Sequence, residues 1–201
     1  MQTKQTIAVL GANGNMGADI SKSLSKGNYK LLLYANHQEQ VEAQVQEIVT
    51  ANPSADVEAI NCSVNASWEA DIIIVDIPYR TEKEVADKIR EVANQKVVIS
   101  ITNSTYDTSK GFVTKPGISA AEELQYLLPN SKVVKVFNTS YAHGISADST
   151  DDKKAVHLIA GDDKEALQKV FGLFAIAGYN PMIAGSLTVS RTLENMEASL
   201  N

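Results

Sequence analysis

The sequence predicts a doubly wound α/β fold: a mostly parallel sheet with helices on both faces, read as one domain over 1–201 with a short C-terminal helix. Three observations carry this. Short runs rich in Val, Ile and Leu recur at 6–10, 30–34, 57–60, 71–77, 96–101, 132–137, 155–160 and 179–183. Near-continuous apolar strands are what a parallel sheet covered on both faces requires. Helix-period segments lie between most of these runs, and no Gly/Ser/Pro linker or internal repeat divides the chain.

Each element has its own local pattern. Thr6-Ile7-Ala8-Val9-Leu10 reads as the first strand and runs straight into Gly11-Ala12-Asn13-Gly14-Asn15-Met16-Gly17. A helix opens near Asn15, with Met16, Ile20 and Leu24 at i, i+4 and i+8, and Gly27 is placed as its left-handed cap. Further helical stripes are Val41, Val45, Ile48 and Val49; then Val85, Ile89 and Val92; then Leu167, Val170, Phe171 and Phe174. All are read as core packing. The stretch "TNSTYDTSKGFVTKPG" breaks the rhythm, and an irregular connection of that length is more often functional than accidental. "ISAAEELQYLL" restores a short helix, and "TLENMEASL" is a last one, too short to stand alone.

Composition excludes several classes. A net charge of −6 without a dense Lys/Arg run argues against nucleic acid or an anionic membrane as partner. No apolar stretch approaches the roughly 18 residues of a spanning helix. The N-terminal apolar run is too short for a secretory core, and the lone Cys62 fits a reducing compartment, so a cytoplasmic location is expected. Three histidines and one cysteine lie far apart, which predicts no metal site. No G-x-S-x-G elbow marks a nucleophile.

The glycine-rich stretch poses the functional question. A pyrophosphate approaching a helix N-terminus meets free N–H groups and the positive end of the helix dipole, and a side chain at closest approach would push it away. Gly14 answers that demand at the centre of the loop. Gly17 lets the helix pack closely on the strand, and Gly11 supplies the tight turn one place earlier than in G-x-G-x-x-G. Ala12 stands where that pattern has a glycine, and its methyl is tolerable at negative φ. A two-residue hairpin at Asn13-Gly14 is the alternative, but residues 15–27 are helix-like and make no return strand. The second strand ends Leu33-Tyr34-Ala35-Asn36-His37 with no carboxylate until Glu39. An acidic residue there would hold the ribose 2′-hydroxyl of NAD; its absence favours NADP(H) over NAD(H). Asn36 and His37 are the residues available to meet a 2′-phosphate, or they simply turn the chain into the next helix.

Four segments resemble one family. "LGANGNMG", "ADIIIVDIPY", "KVVKVFNT" and "AGSLTVSRTLE", in this order and spacing, are similar to the NADP-linked oxidoreductases typified by coenzyme F420-dependent NADP reductase. The resemblance implies a Rossmann-like NAD(P)-binding fold and a homodimer. It also implies direct hydride transfer between the nicotinamide and a stacked flavin or deazaflavin, FMN and FAD included, with no side-chain acid or base, hence no catalytic residue. It places Gly11, Asn13, Gly14, Asn15, Met16 and Gly17 around the pyrophosphate and Asn36 and His37 at the 2′-phosphate, where the family often carries arginine. Ile77, Pro78 and Tyr79 fall beside the nicotinamide ribose, and Thr139 falls in the second cofactor's pocket.

Other residues keep two readings. Asp76 ends an apolar strand and either bonds a ribose hydroxyl or caps a helix beginning near Thr81. Asn138 and His143, after the sixth strand of that family pattern, either meet an acceptor or belong to a loop. His157 is read as a satisfied strand residue. Arg191 anchors the last helix or holds a partner subunit. Two other functions compete with flavin-linked hydride transfer: a non-enzymatic NADP(H) sensor, and a reductase of a small carbonyl or imino compound.

Overall fold

The structure is a computed structural model and describes residues 4–102, 106–107, 111–112, 117–139 and 156–198. The elements in order are β1 Gln5–Leu10, α1 Asn15–Leu24, β2 Tyr29–Tyr34, α2 Gln38–Ala51, β3 Asp56–Ala59, α3 Ser63–Glu69, β4 Ile72–Val75, α4 Tyr79–Ile89 and β5 Val97–Ser100. There follow two two-residue strands paired antiparallel, β6 Tyr106–Asp107 and β7 Gly111–Phe112, then α5 Ala120–Leu127, β8 Lys132–Asn138, β9 Val156–Gly161, α6 Lys164–Ile176, β10 Asn180–Gly185, a 3₁₀ turn Leu187–Val189 and α7 Ser190–Ala198.

Eight strands form one sheet in the order β10-β9-β8-β5-β4-β1-β2-β3. Every pairing is parallel except β8 with β9, which makes the sheet mostly parallel, as the apolar runs predict. The order reverses at β1, whose neighbours are β2 and β4. A crevice therefore opens above their carboxyl ends, where ligands of open α/β sheets bind.

The strand alternation divides the core between the two faces. Ile7 and Val9 pack with α1, α2 and α6, whereas Ala8 and Leu10 pack with α3, α4 and α5. Both faces are covered, so neither set of side chains had to be polar.

Two local expectations fail. Helix α1 ends at Leu24 with Ser25 in right-handed conformation, and Gly27 is not among the positive-φ glycines. Its hydrogen instead clears the Tyr29 ring, which an added Cβ would meet at 2.7 Å. Phe171 is 37% exposed, and Leu173 takes its place in the buried stripe of α6. At 100° per residue, 173 lies closer to the line through 166, 170 and 174 than 171 does.

The last helix has its predicted support. Ser190 Oγ lies 2.6 Å from Ser119 Oγ, and Glu194 Oε2 accepts the Ala120 N–H at 2.9 Å. Arg191 grips Glu122 with Nε at 2.8 Å and Nη2 at 2.6 Å. Of its two readings, the anchor within the chain is therefore realised. His157 packs against Tyr179 with ring centroids 4.6 Å apart, a satisfied strand residue as read.

Candidate functional site

β1 delivers the chain to Gly11, whose N–H and that of Ala12 both donate to Tyr34 O, at 2.8 and 3.0 Å. Gly11 has φ +93°, and an added Cβ would sit 1.8 Å from Asp76 O. Only glycine fits there, and its position one residue early is what lets Ala12 stay buried with ordinary φ. Gly14 is the N-cap of α1, in extended conformation. The first N–H groups of α1 have no intrahelical acceptor; that of Gly17 is taken by Asp76 Oδ2, and Gly14, Asn15 and Met16 line the crevice.

Two clefts meet over this point. One, of about 340 Å³, is lined by Gly14, Asn15, Met16, Asp76, Ile77, Pro78, Tyr79, Ile101, Thr102, Val136 and Asn138. The other, of about 350 Å³, runs over Gly11, Asn13, Tyr34, Asn36 and His37 to Thr81, Glu84 and Lys88 on α4. They share Gly14, Asp76, Ile77 and Pro78. The switch point thus carries one groove divided by these shared residues, at the place where open α/β sheets bind ligands.

The predicted site residues take definite places along it. Asn13 Nδ2 donates to Gln40 Oε1 at 2.8 Å, tying the loop to α2. Asn36 Oδ1 accepts the Tyr34 hydroxyl at 3.4 Å, and His37 is the N-cap residue of α2 without a side-chain capping bond. Both are exposed at the end of the second cleft. Ile77, Pro78 and Tyr79 form the lip between the clefts, with Pro78 the N-cap of α4. Asn138 Nδ2 approaches Met16 Sδ at 4.0 Å across the first cleft. Thr139 Oγ1 donates to Val156 O at 3.1 Å and so bonds the β9 backbone. His143 lies outside the described residues.

Of the two readings of Asp76, the helix cap is not realised. Helix α4 opens at Tyr79, capped by Pro78, and Asp76 turns the other way. Its Oδ2 accepts the Gly17 N–H at 2.6 Å, across the sheet, at the N-terminus of α1. Burial holds this carboxyl above its ordinary range, while the bond from Gly17 pulls the other way. The carboxylate reaches Gly17 because β4 pairs in register with β1 (Leu10 opposite Val75), which carries residue 76 level with the loop.

Several polar residues of the site escaped the sequence reading. Thr81, Glu84 and Lys88 share one face of α4 at helical spacing and line the second cleft. Beneath the first cleft, Lys135 is fully buried and donates to Thr102 O, with Glu194 Oε1 3.2 Å away. Thr102 Oγ1 in turn donates to Ile77 O at 2.9 Å, bracing the lip. Glu82, 2% exposed, joins this group. Burial first, then the Glu194 and Glu123 charges, push its carboxyl up to about 8 against the pull of Lys135 and Thr102. The Tyr79 hydroxyl donates to Glu123. Burial and then that carboxylate raise the phenol further above its ordinary range. A lysine within "KVVKVFN" was the available signal, since a charge inside an apolar strand needs a buried partner.

A doubly wound sheet with a glycine-rich strand-turn-helix at its switch point defines the Rossmann-like class of NAD(P)-linked oxidoreductases. Residues 6–104 match the family described as NADP oxidoreductase, coenzyme F420-dependent, and over that stretch the chain is similar to it. The F420-dependent NADP reductase of Methanocaldococcus jannaschii is 27% identical over 196 residues, spanning 94% of this chain and 87% of its own. Two solved structures share the fold. A protein assigned as an F420-dependent NADP reductase from Arthrobacter sp. FB24 superposes with TM-score 0.73 at 17% identity, over 96% of this chain and 90% of its own. The Plasmodium falciparum pyrroline carboxylate reductase with NADP bound gives 0.61 at 13%, over 91% of this chain and 58% of its own. Among the described residues no helix is long and apolar enough to cross a membrane, and no cluster of His, Cys, Asp and Glu forms a metal site.

Proposed function

We propose that the protein binds NADP(H) along the divided groove and exchanges hydride between it and a flavin or deazaflavin acceptor. One observation carries this. The two clefts share the N-terminus of α1, where Gly14 leaves room that an added Cβ would fill to within 2.9 Å of Asp76 Oδ2. Bound there, the cofactor supplies hydride chemistry at its nicotinamide ring.

In this reading the chain's residues bind and position. Asn15, Met16 and Gly17 offer backbone N–H groups to the pyrophosphate. Asn36, His37 and Lys88 meet the 2′-phosphate at the far end, and Ile77, Pro78, Tyr79 and Asn138 bound the nicotinamide side. Ile77 and Pro78 shed water from that end, and Lys135 keeps their lip in place through Thr102. The acceptor is assigned to the open side of the first cleft, past Asn138 and Thr139. The names of the family and of the M. jannaschii relative support NADP and the deazaflavin.

The same reading includes a homodimer. β10 is an edge strand whose Met182 and Ile183 are 53% and 39% exposed, and a second copy seated along that edge would cover them. Light scattering in solution checks it.

The decisive experiment has two stages. Calorimetric titration with NADPH and NADH should give binding, tighter for NADPH; no binding of either ends the proposal. NADPH oxidation is then followed against coenzyme F420, FMN, FAD and a cyclic imine. Turnover with a deazaflavin or flavin is the expected result. Turnover with the imine alone, or binding without any turnover, overturns the acceptor assignment.

A further inference from the structure

The cradle opened by the glycines already holds an anion. Asp76 Oδ2, bound to the Gly17 N–H at 2.6 Å, is the atom that a Cβ would meet at 2.9 Å on Gly14 and at 3.0 Å on Gly17. The carboxylate therefore lies in the space that these two glycines clear, on the wall common to both clefts. Its backbone has no room to withdraw. Asp76 N donates to Leu10 O at 2.8 Å, and the Asp76 carbonyl is packed against Gly11, where an added Cβ would stand 1.8 Å away. Only the side chain is able to leave.

Resting on the NADP(H) reading above, we propose that Asp76 is a built-in competitor for the cofactor's pyrophosphate, surrendering the Gly17 N–H and taking up a proton from solvent when the dinucleotide binds. The physical ground is the like-charge problem. Two anions within about 4 Å in a partly desolvated groove repel by several kcal/mol at an effective dielectric near 20. Protonating one of them is the cheapest escape, since it also removes the cost of burying an unpaired carboxylate.

Binding changes the proton affinity in one direction. In the free protein burial already raises this carboxyl and the bond from Gly17 opposes it; on binding that bond passes to the pyrophosphate, whose charge further favours the proton. Asp76 thus holds a proton more tightly in the complex than alone. Affinity falls as pH rises between those two values, by at most about tenfold per unit.

Other charged or titratable groups face the same groove and must be separated from Asp76. α1 contributes none among Asn15, Met16 and Gly17. The β2 end contributes Tyr34 and His37, and α4 contributes Tyr79, Glu84 and Lys88. Beneath lie Glu82 on α4 and Lys135 on β8.

The test is a calorimetric titration of the full chain with NADPH and with NADH, which lacks the 2′-phosphate. It is run from about pH 6 to about pH 8.5 in two buffers of different ionisation enthalpy, on wild type, Asp76→Asn and His37→Gln. Asparagine still accepts the Gly17 N–H but carries no charge. Expected are net proton uptake by wild type and by His37→Gln with both dinucleotides, and none of that component in Asp76→Asn. Asp76→Asn should also bind about tenfold more tightly at the alkaline end, converging on wild type as pH falls. Equal or weaker binding by Asp76→Asn with an unchanged pH slope overturns the inference and leaves the cofactor reading standing. Should Asp76→Asn not fold, wild-type proton uptake with NADH decides alone, and its absence overturns the inference. Failure of every protein to bind either dinucleotide at any pH overturns the cofactor reading and this inference with it.

Discussion

The Lys135 ammonium lies 3.2 Å from Oε1 of Glu194, and both side chains are closed off from solvent. The pair joins β8 to α7. Glu194 spends its remaining acceptor capacity on the N–H groups of Ala120 and Ala121, at 2.9 and 3.3 Å, so it also caps α5. Lys135 spends another donor on Thr102 O. Breaking such a pair from one side strands a buried charge, at about 3–5 kcal/mol. Lys135→Met should lose that much in a denaturant titration. Lys135→Met combined with Glu194→Gln should recover part of it, because neither charge is then left alone. Additive losses would refute the pairing.

Glu82 sits beside this pair as a second acid next to the Lys135 cation, and the charges of the three balance if it keeps its proton. Its carboxyl is pushed up to about 8, against about 4.3 in an unfolded chain. Between those values the folded protein binds the extra proton, so stability is greatest at low pH and is lost as pH rises through the upper one. The slope from this group is at most about 1.4 kcal/mol per pH unit. Glu82→Gln should flatten that decline and stand above wild type at about pH 8.5. Melting temperatures across the range measure it; identical slopes for the two proteins would remove Glu82 from the account.

The glycines of the loop should separate by what a methyl meets. At Gly11 a Cβ falls 1.8 Å from a backbone carbonyl and the φ is positive, so Gly11→Ala costs at least ~1–3 kcal/mol in backbone strain alone. At Gly17 it falls 2.5 Å from Gly11 O, also backbone, and folding stability should drop again. At Gly14 its nearest neighbour is the movable Asp76 carboxylate. Gly14→Ala should therefore melt close to wild type yet lose NADPH affinity. A Gly14→Ala protein with full affinity would move the pyrophosphate away from this loop.

These substitutions also mark how far the sequence was legible. The eight runs each became a strand of the main sheet; for the six inner strands apolar burial on both faces leaves a local signature, while the edge strands β3 and β10 are largely exposed and were legible from their residue types alone. The glycine loop was readable for the same reason: its constraint is steric and falls on residues adjacent in sequence. Asp76 was noticed as odd, but its bond to Gly17 was not foreseen and the helix cap it was offered is not made, since Gly17 is 59 positions away and only strand register brings the two together. Lys135, Glu82 and Glu194 come from β8, α4 and α7, and no spacing along the chain joins them. Gly27 and Phe171 failed differently: α1 ends without a left-handed cap, Gly27 clearing the Tyr29 ring instead, and Leu173 fits the stripe of α6 better than Phe171.

In the proposed reading Lys88 supplies the cation that the end of the second strand lacks. It shares a face of α4 with Thr81 and Glu84 and lines the cleft that ends at Asn36 and His37. In the free protein its ammonium is 2.7 Å from Glu84 Oε1, so a 2′-phosphate must draw it off that carboxylate while facing the carboxylate's own charge. The two residues therefore push cofactor choice in opposite directions. Lys88→Met should weaken NADPH by about five- to tenfold and leave NADH unchanged, because only the former carries the phosphate. Glu84→Gln should strengthen NADPH, again without effect on NADH, by releasing Lys88 and removing a repulsion. Raising salt should shrink both effects, since this end of the groove is open to water. Parallel titrations of the three proteins with the two dinucleotides decide it. Equal shifts for NADPH and NADH would mean that Lys88 only holds α4 together, and would return the 2′-phosphate to Asn36 and His37 alone.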